Sequence, residues 1–276
     1  MTLLTEKKPP LIMGILNVTS DSFSGDGLMT SSDFVAQALK QAKEMVRDGA
    51  AILDVGGESS RPGAIPIDVA EEIRRVVPVV QTIRSQFPQI PIAVDTVKSQ
   101  VAREALIAGA TIINDISTLS DTNIAGVAAE YKAYLVIMDN RSKAHLVAND
   151  AVIGSEYGAA ESDDIVEEVK RNLFERITSA KAAGVNDSKI IIDPGIGFGK
   201  TLEQNLTLIN QCDRFKNMGY PVLLGPSRKS FIGRLLDLPV DERLEGTAAC
   251  VAIGALRGAD ILRVHDVKFM GRVAQM

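Results

Sequence analysis

One short stretch, Gly225-Pro-Ser-Arg-Lys-Ser-Phe231, offers Ser227, Arg228, Lys229 and Ser230 where a helix-like segment begins. Such a stretch can hold an anion through side-chain charge and the unpaired N–H groups of a helix start. Arg263 and His265 lie two residues apart on an apolar run, so in an extended chain their side chains share a side. With Arg61 they enlarge the potential anion set, as a small phosphorylated substrate requires. Taken singly, Arg228 fits an outward salt bridge equally well. A second group is acidic or amide: Asp95, Asn114, Asp115 and Asp193. Carboxylates accept from the N–H groups of a heterocycle, and an amide both donates and accepts, so the set suits a purine-like or pterin-like ring. Asn114 and Asp115 are consecutive and cannot both face one site, so one of them is structural.

The run Asp193-Pro-Gly-Ile-Gly-Phe-Gly-Lys200 is glycine-rich but has the spacing of neither a dinucleotide fingerprint nor a Walker A loop. It reads as a tight turn that leaves Asp193 facing inward, with glycine supplying φ values barred to other residues. His145 and His265 belong to no metal-binding pattern, and the carboxylates are dispersed. A Mg2+ ion held mainly by substrate phosphates and water, with one oxygen from Asn17, is compatible with this sequence. As a lone residue Asn17 also reads as a strand-ending hydrogen-bond former.

These residues end short apolar runs: Leu11 to Asn17, Ala51 to Gly56, Pro91 to Asp95, Thr111 to Asp115, Tyr134 to Met138, Lys189 to Asp193, Pro221 to Gly225 and Asp260 to His265. Each has the length and β-branched content of a strand buried on both faces. Helical periodicity fills much of the intervening sequence, in Ser32 to Asp48, Ala70 to Gln86, Ser99 to Ala108, Ser162 to Ala183, Leu202 to Asn217 and Glu245 to Leu256. Strict alternation forces parallel pairing with right-handed crossovers. The reading is an α/β protein, a single-domain (β/α)8 TIM barrel over residues 1–276, with an open doubly wound sheet as runner-up. Gly49 to Asp54, Gly109 to Asn114 and Gly258 to Arg263 share a local repeat whose glycines read as helix C-caps. Residues 1–10 read as an N-terminal extension. The long polar segments 18–31 and 140–163 follow strand ends on the active face, as lids, binding loops or, for the second, a functionless insertion.

With 46% hydrophobic and 24% charged residues, the chain has ample material for a core and no mark of disorder. A net charge of −5 argues against general nucleic-acid binding. No apolar run approaches the roughly 18 residues that span a bilayer, and no signal-peptide core follows the first residues, so a cytoplasmic protein without membrane partners is expected. Cys212 and Cys250 lie far apart without metal-ligand spacing and read as buried thiols.

Seven ordered segments resemble the dihydropteroate synthase family of folate biosynthesis, over nearly the whole chain. They are Met13-Gly-Ile-Leu-Asn-Val-Thr-Ser-Asp-Ser-Phe-Ser24, Asp54-Val-Gly-Gly-Glu-Ser-Ser-Arg-Pro-Gly63, Ala93-Val-Asp-Thr96, Asn114-Asp-Ile116, Asp193 to Lys200, Ser227-Arg-Lys-Ser230 and Arg263-Val-His-Asp266. The resemblance implies a transferase joining p-aminobenzoate to 6-hydroxymethyl-7,8-dihydropterin pyrophosphate, with Mg2+ as cofactor and a homodimer as the assembly. Carried over, Asp95, Asn114, Asp193 and Lys229 correspond to pterin-ring contacts, with Met138 and Gly225 lining the slot. Arg263, His265, Ser60, Arg61 and Asn17 correspond to the pyrophosphate site, with Asn17 also the metal ligand. Phe23, Ser60, Arg61, Pro62 and Ser230 correspond to the p-aminobenzoate pocket; Lys229, Arg263 and Asp26 to the catalytic set.

The sequence departs from the family pattern at several points. Ser20 stands for a common Pro and Ser60 for a common Thr, Ser24-Gly-Asp-Gly27 displaces the loop acid to Asp26, Met138-Asp139 replaces Met-His, and Pro226 precedes Ser227. The first-loop change and Asp139 raise a non-catalytic pterin-binding homologue as one alternative. A methyltetrahydrofolate-using methyltransferase on the same barrel is another, and Glu58-Ser-Ser-Arg61 with Ser227-Arg-Lys-Ser230 favours the synthase over it.

Overall fold

The computed structural model describes residues 9–19, 33–61, 63–142, 147–159 and 161–276. Its strands are β1 (Leu11–Asn17), β2 (Ile52–Gly56), β3 (Ile92–Asp95), β4 (Ile112–Asp115), β5 (Tyr134–Met138), β6 (Val147–Asp150), β7 (Gly154–Tyr157), β8 (Ile190–Asp193), β9 (Leu223–Leu224) and β10 (Ile261–Val264). All but β6 and β7 pair in parallel, in the order β8-β5-β4-β3-β2-β1-β10-β9. A further parallel bridge, Ile192 to Val222, joins the two ends. That closure makes the sheet a barrel and removes the open-sheet alternative.

The helices are α1 (Phe34–Arg47), α2 (Val69–Gln86), α3 (Ser99–Ile107), α4 (Ile124–Glu130), α5 (Ile165–Ala182), α6 (Leu202–Asn210), α7 (Cys212–Lys216), α8 (Ser230–Leu236), α9 (Leu244–Leu256) and α10 (Val267–Gln275). Their starts are written in the sequence. Asp33, Asp68 and Asp164 accept backbone N–H groups of the first turns of α1, α2 and α5, and Thr201 with Gln204 forms a capping box on α6. Gly49, Gly109 and Gly258 have φ of +102°, +114° and +101°, the left-handed C-cap geometry that their repeat anticipates.

Two expectations need correction. The helix expected over Leu202 to Asn217 is divided, because Gln211 leaves helical geometry at φ −107° and ψ 28°. The polar segment 140–163 is not all loop: β6 and β7 form an antiparallel hairpin within it. Its polar sequence lacks the apolar alternation that marks a strand against a core.

Successive residues of the barrel strands belong to different cores. Met13, Ile52, Ala93, Ile112, Val136, Ile191, Leu223 and Ile261, one from each barrel strand, form a closed apolar cluster inside the barrel. Their neighbours, among them Ile12, Leu53, Val94, Ile113, Leu135, Ile192, Leu224 and Leu262, pack outward on the helices. Side-chain period two therefore governs the molecule. Met13 is fully buried in the inner cluster. We expect Met13→Ala to lower stability by about 2 to 5 kcal/mol, since the closed barrel cannot collapse onto the cavity; denaturant titration measures this, and a loss under 1 kcal/mol would show that the floor is loosely packed.

Candidate active site

Two residues beyond each member of the inner cluster, towards the strand C-termini, stand Ile15, Asp54, Asp95, Asn114, Met138, Asp193, Gly225 and Arg263. The strand pleat sends this second set to the barrel axis directly above the apolar floor. Six of the expected site residues are therefore placed by one register: Asp95, Asn114, Met138, Asp193, Gly225 and Arg263. Asp54 belongs to the same ring and the sequence reading assigned it no role. The same two-residue step from Ile52 was the available signal.

Arg263 organises the ring. Its Nε donates to Asp54 Oδ2 at 2.6 Å and its Nη2 to Asp95 Oδ2 at 2.5 Å, while Asn114 Nδ2 donates to Asp54 Oδ2 at 3.2 Å. The sequence reads as a basic anion-binding set and a separate acidic set for a heterocycle; in the structure the Arg263 cation sits on the acids. Carboxylates buried this deeply need a counter-charge close by, and Arg263 lies within reach on the adjoining strand system. Burial pushes Asp95 up to about 7, opposed by Arg263 and reinforced by Asp54. Burial likewise pushes Asp193 up to about 6, although Gly195 N donates to its Oδ1 at 2.7 Å.

Asp115 is the structural member of the consecutive pair. Its carboxylate accepts from Ser117 N, Ser117 Oγ and Leu119 N at 2.6 to 2.8 Å, fixing a turn in which Thr118 and Leu119 have positive φ. All four donors expected after β9 line the barrel mouth, Arg228 with its guanidinium engaged in an ion pair. Arg228 has φ +57° and pairs with Asp266 at 2.8 Å. Lys229 lies with its Nζ 3.9 Å from the Phe198 ring centroid, and burial lowers its pKa to about 8. Its aliphatic chain covers Gly197, where a Cβ would come within 2.8 Å of Lys229 Cδ.

A cavity of about 480 Å3 opens above the ring. Asn17, Ser60, Arg61, Asp95, Gly225, Lys229, Ser230, Arg263 and His265 all line it, so most of the expected residues converge. Asn114, Met138 and Asp193 lie deeper and do not line this opening. Phe23, Asp26 and Pro62 fall outside the described residues. Ser227 Oγ stands 2.9 Å from His265 Nδ1 and also accepts from His265 N at 3.2 Å, which fixes the imidazole at the rim.

Three contacts hold the rim loops. Lys98 Nζ binds Glu58 Oε2 at 2.6 Å and Glu72 Oε2 at 2.5 Å, and Arg75 Nη1 donates to Gly57 O at 3.1 Å, so the β2 loop carrying Ser60 and Arg61 is anchored on α2. The hairpin roofs the cavity: Tyr157 stacks on Phe198 with centroids 6.4 Å apart and donates its hydroxyl to Ser60 O at 3.2 Å. Arg243, nearly buried, donates to Ile153 O at 2.7 Å and to Arg228 O at 3.0 Å. Phe198, Tyr157 and Arg243 escaped the sequence reading, because their roles depend on chain segments meeting across the mouth.

Because Asp193 binds its proton more tightly in the folded chain than in the unfolded one, it weakens the fold as pH rises from about 4 to about 6, and fully above that. Asp193→Asn keeps the acceptor for Gly195 N and removes the buried charge. We expect it to stabilise the protein by about 1 to 3 kcal/mol at pH 7.5, with the gain shrinking by more than half at pH 4.5. Thermal melts across that range test this; a gain independent of pH would show that Asp193 titrates normally.

Comparison with known proteins agrees with this geometry. The pterin binding enzyme family matches residues 13–265. The dihydropteroate synthase of Bacillus subtilis is 47% identical over 274 residues, 99% of this chain and 89% of that protein. That of Escherichia coli is 44% identical over 259 residues, 94% of this chain and 87% of that protein. Among solved structures, Clostridium difficile dihydropteroate synthase in the presence of pteroic acid superposes with a TM-score of 0.87 and 42% identity, covering 98% of this chain and 95% of that one. The Xanthomonas albilineans enzyme with 4-aminobenzoic acid gives 0.85 and 38%, covering 97% and 91%. Ring, rim and sequence kinship together place the chain in the dihydropteroate synthase family of pterin binding enzymes.

Proposed function

We infer that the barrel mouth joins p-aminobenzoate to 6-hydroxymethyl-7,8-dihydropterin pyrophosphate, releasing 7,8-dihydropteroate and pyrophosphate. The observation that carries this reading is the composition of one barrel mouth: Asp95 and Arg263 share its ring with buried Asn114 and Asp193, and Arg61 and His265 line the opening with them. Buried acceptors suit the N–H groups of a pterin, and the cationic rim suits its leaving anion.

In this reading Asp95, Asn114, Asp193 and Lys229 meet the pterin, and Met138 and Gly225 line its slot. Arg263, His265, Ser60, Arg61 and Asn17 receive the pyrophosphate. Ser60, Arg61 and Ser230 bound the p-aminobenzoate pocket; the roles expected of Phe23 and Pro62 in that pocket, and of Asp26 in catalysis, fall on residues outside those described. Phe198 and Tyr157 extend that pocket with an aromatic wall.

The C–O bond to pyrophosphate breaks with its electron pair leaving on oxygen, and the arylamine nitrogen then supplies the pair for the new C–N bond and loses a proton to solvent. Guanidinium and imidazole groups at the rim stabilise the departing charge, and the buried carboxylates stabilise the pterin cation left behind. The aromatic roof keeps water from that cation. No protein nucleophile is required, and both cysteines are buried away from the cavity lining.

Among the described residues no cluster of His, Cys, Asp and Glu could hold a metal unaided. The Asn17 amide oxygen and an Asp95 carboxylate oxygen nevertheless both approach bare Gly56, each 3.9 Å from where a Cβ would stand. Such hard oxygen donors fit a Mg2+ ion completed by phosphate and water. Bound there, Mg2+ would neutralise charge on the pyrophosphate.

Placement in the cytoplasm and assembly as a homodimer complete the proposal. Among the described residues no helix is long and apolar enough to cross a membrane, and the two cysteines form no disulfide. On α9, Ile253 and Leu256 face outward, the latter 80% exposed, as a self-associating surface requires.

Product formation from the two substrates and Mg2+ tests the reaction; none at high enzyme concentration refutes it. Chelation should abolish turnover, with Mg2+ restoring it, and Asn17→Ala should raise the Mg2+ concentration that gives half-maximal rate. We expect Lys229→Ala to lose measurable pterin affinity by calorimetry, and retained affinity contradicts the assigned role. In sedimentation the protein should run as a dimer that Leu256→Glu weakens; a monomeric wild type removes the assembly.

A further inference from the structure

The Lys200 side chain is fully buried and does not line the cavity, yet it is among the most heavily bonded side chains of the described residues. Its Nζ donates to the carbonyls of Asp139 and Gly195 at 3.0 Å and of Phe198 at 3.3 Å, and pairs with Asp139 Oδ2 at 3.0 Å. Asp139, one residue past β5, is 3% exposed, and its other oxygen accepts from Asn172 Nδ2 of α5 at 2.9 Å. Its backbone N–H donates to Asp193 O at 3.0 Å. One ammonium therefore ties both ends of the glycine loop 194–199 to the segment following β5.

That attachment leaves the loop no room for side chains. A Cβ on Gly195 would lie 1.8 Å from Asp139 O, and one on Gly199 would lie 2.4 Å from the Arg141 carbonyl carbon. The loop in turn sets three groups of the site. Gly195 N holds the Asp193 carboxylate, Phe198 carries the Lys229 ammonium on its ring face, and Gly197 gives the Lys229 chain its bed. A buried ammonium with three carbonyl partners needs a carboxylate to remain charged, and Asp139 is the one in contact.

We propose that Asp139, Lys200 and Asn172 form a positioning unit that fixes the 194–199 loop and thereby the orientation of Asp193 and Lys229 towards the pterin. The inference rests on the reading of Asp193 and Lys229 as pterin contacts.

Two variants and two measurements test it. Asp139→Asn keeps the shape and the Asn172 contact but removes the counter-charge of Lys200. Asn172→Ala removes only the outer hydrogen bond and decides the matter if the first variant does not fold. In both, amide hydrogen exchange at residues 195–199 should accelerate relative to the rest of the barrel. The KM for the pterin pyrophosphate should rise, about tenfold or more in Asp139→Asn and less in Asn172→Ala, while kcat changes little because no group that touches substrate is lost. Unchanged exchange in the loop overturns the positioning unit, whatever the kinetics. Accelerated exchange with unchanged pterin KM leaves the loop fastening intact but overturns its link to the site, whereas the pterin role of Lys229 itself stands or falls with the calorimetry of Lys229→Ala.

Discussion

The contact of Arg263 with Asp54 and Asp95 is the constraint around which the rest of the mouth is built. Three carboxylates enter the barrel axis at one level, and in a medium of low dielectric they cannot all remain charged without cations among them. Arg263 on β10 and Lys229 at the start of α8 supply those cations. Separation of charge into two halves would have left each half uncompensated. Interleaving places a counter-charge directly on Asp54 and Asp95.

A ring of this kind weakens the fold, so the apolar layer beneath it has to be continuous. Each barrel strand contributes one side chain to that floor, and the site begins one pleat higher. Floor and ring are consecutive turns of the same period-two pattern, and any slip in register would exchange one for the other. The parallel ladders, with Met13 opposite both Ile52 of β2 and Arg263 of β10, fix that register.

This explains what the sequence discloses and what it withholds. A strand residue takes its direction from parity alone, so Asp95, Asn114, Asp193 and Arg263 could be placed from their spacing after apolar residues. Asp54 is equally legible, since it shares the repeat of Asn114 and Arg263 and stands two residues beyond Ile52 with the same parity. The partners of Arg263 were not legible, since nothing in a linear chain says that residue 263 lies beside residues 54 and 95. Tyr157, Phe198 and Arg243 illustrate the same limit at the rim: each gains its role by meeting a segment tens of residues away. The hairpin of β6 and β7 was hidden for another reason, because a roof exposed to solvent has no core to impose alternation.

Burial deep enough to push Asp95 to about 7 and Asp193 to about 6 also means that few waters compete for those carboxylates. In the proposed reaction, a carboxylate that is costly to ionise in the resting ring becomes cheaper when a positive charge develops beside it, so the penalty carried by the ring would be relieved as the leaving group departs. The same argument requires the walls to be rigid. Acceptors that could turn away would relax into their own hydrogen bonds and lose that preference, and the glycine loop fastened by Lys200 is the part of the wall that prevents Asp193 from doing so.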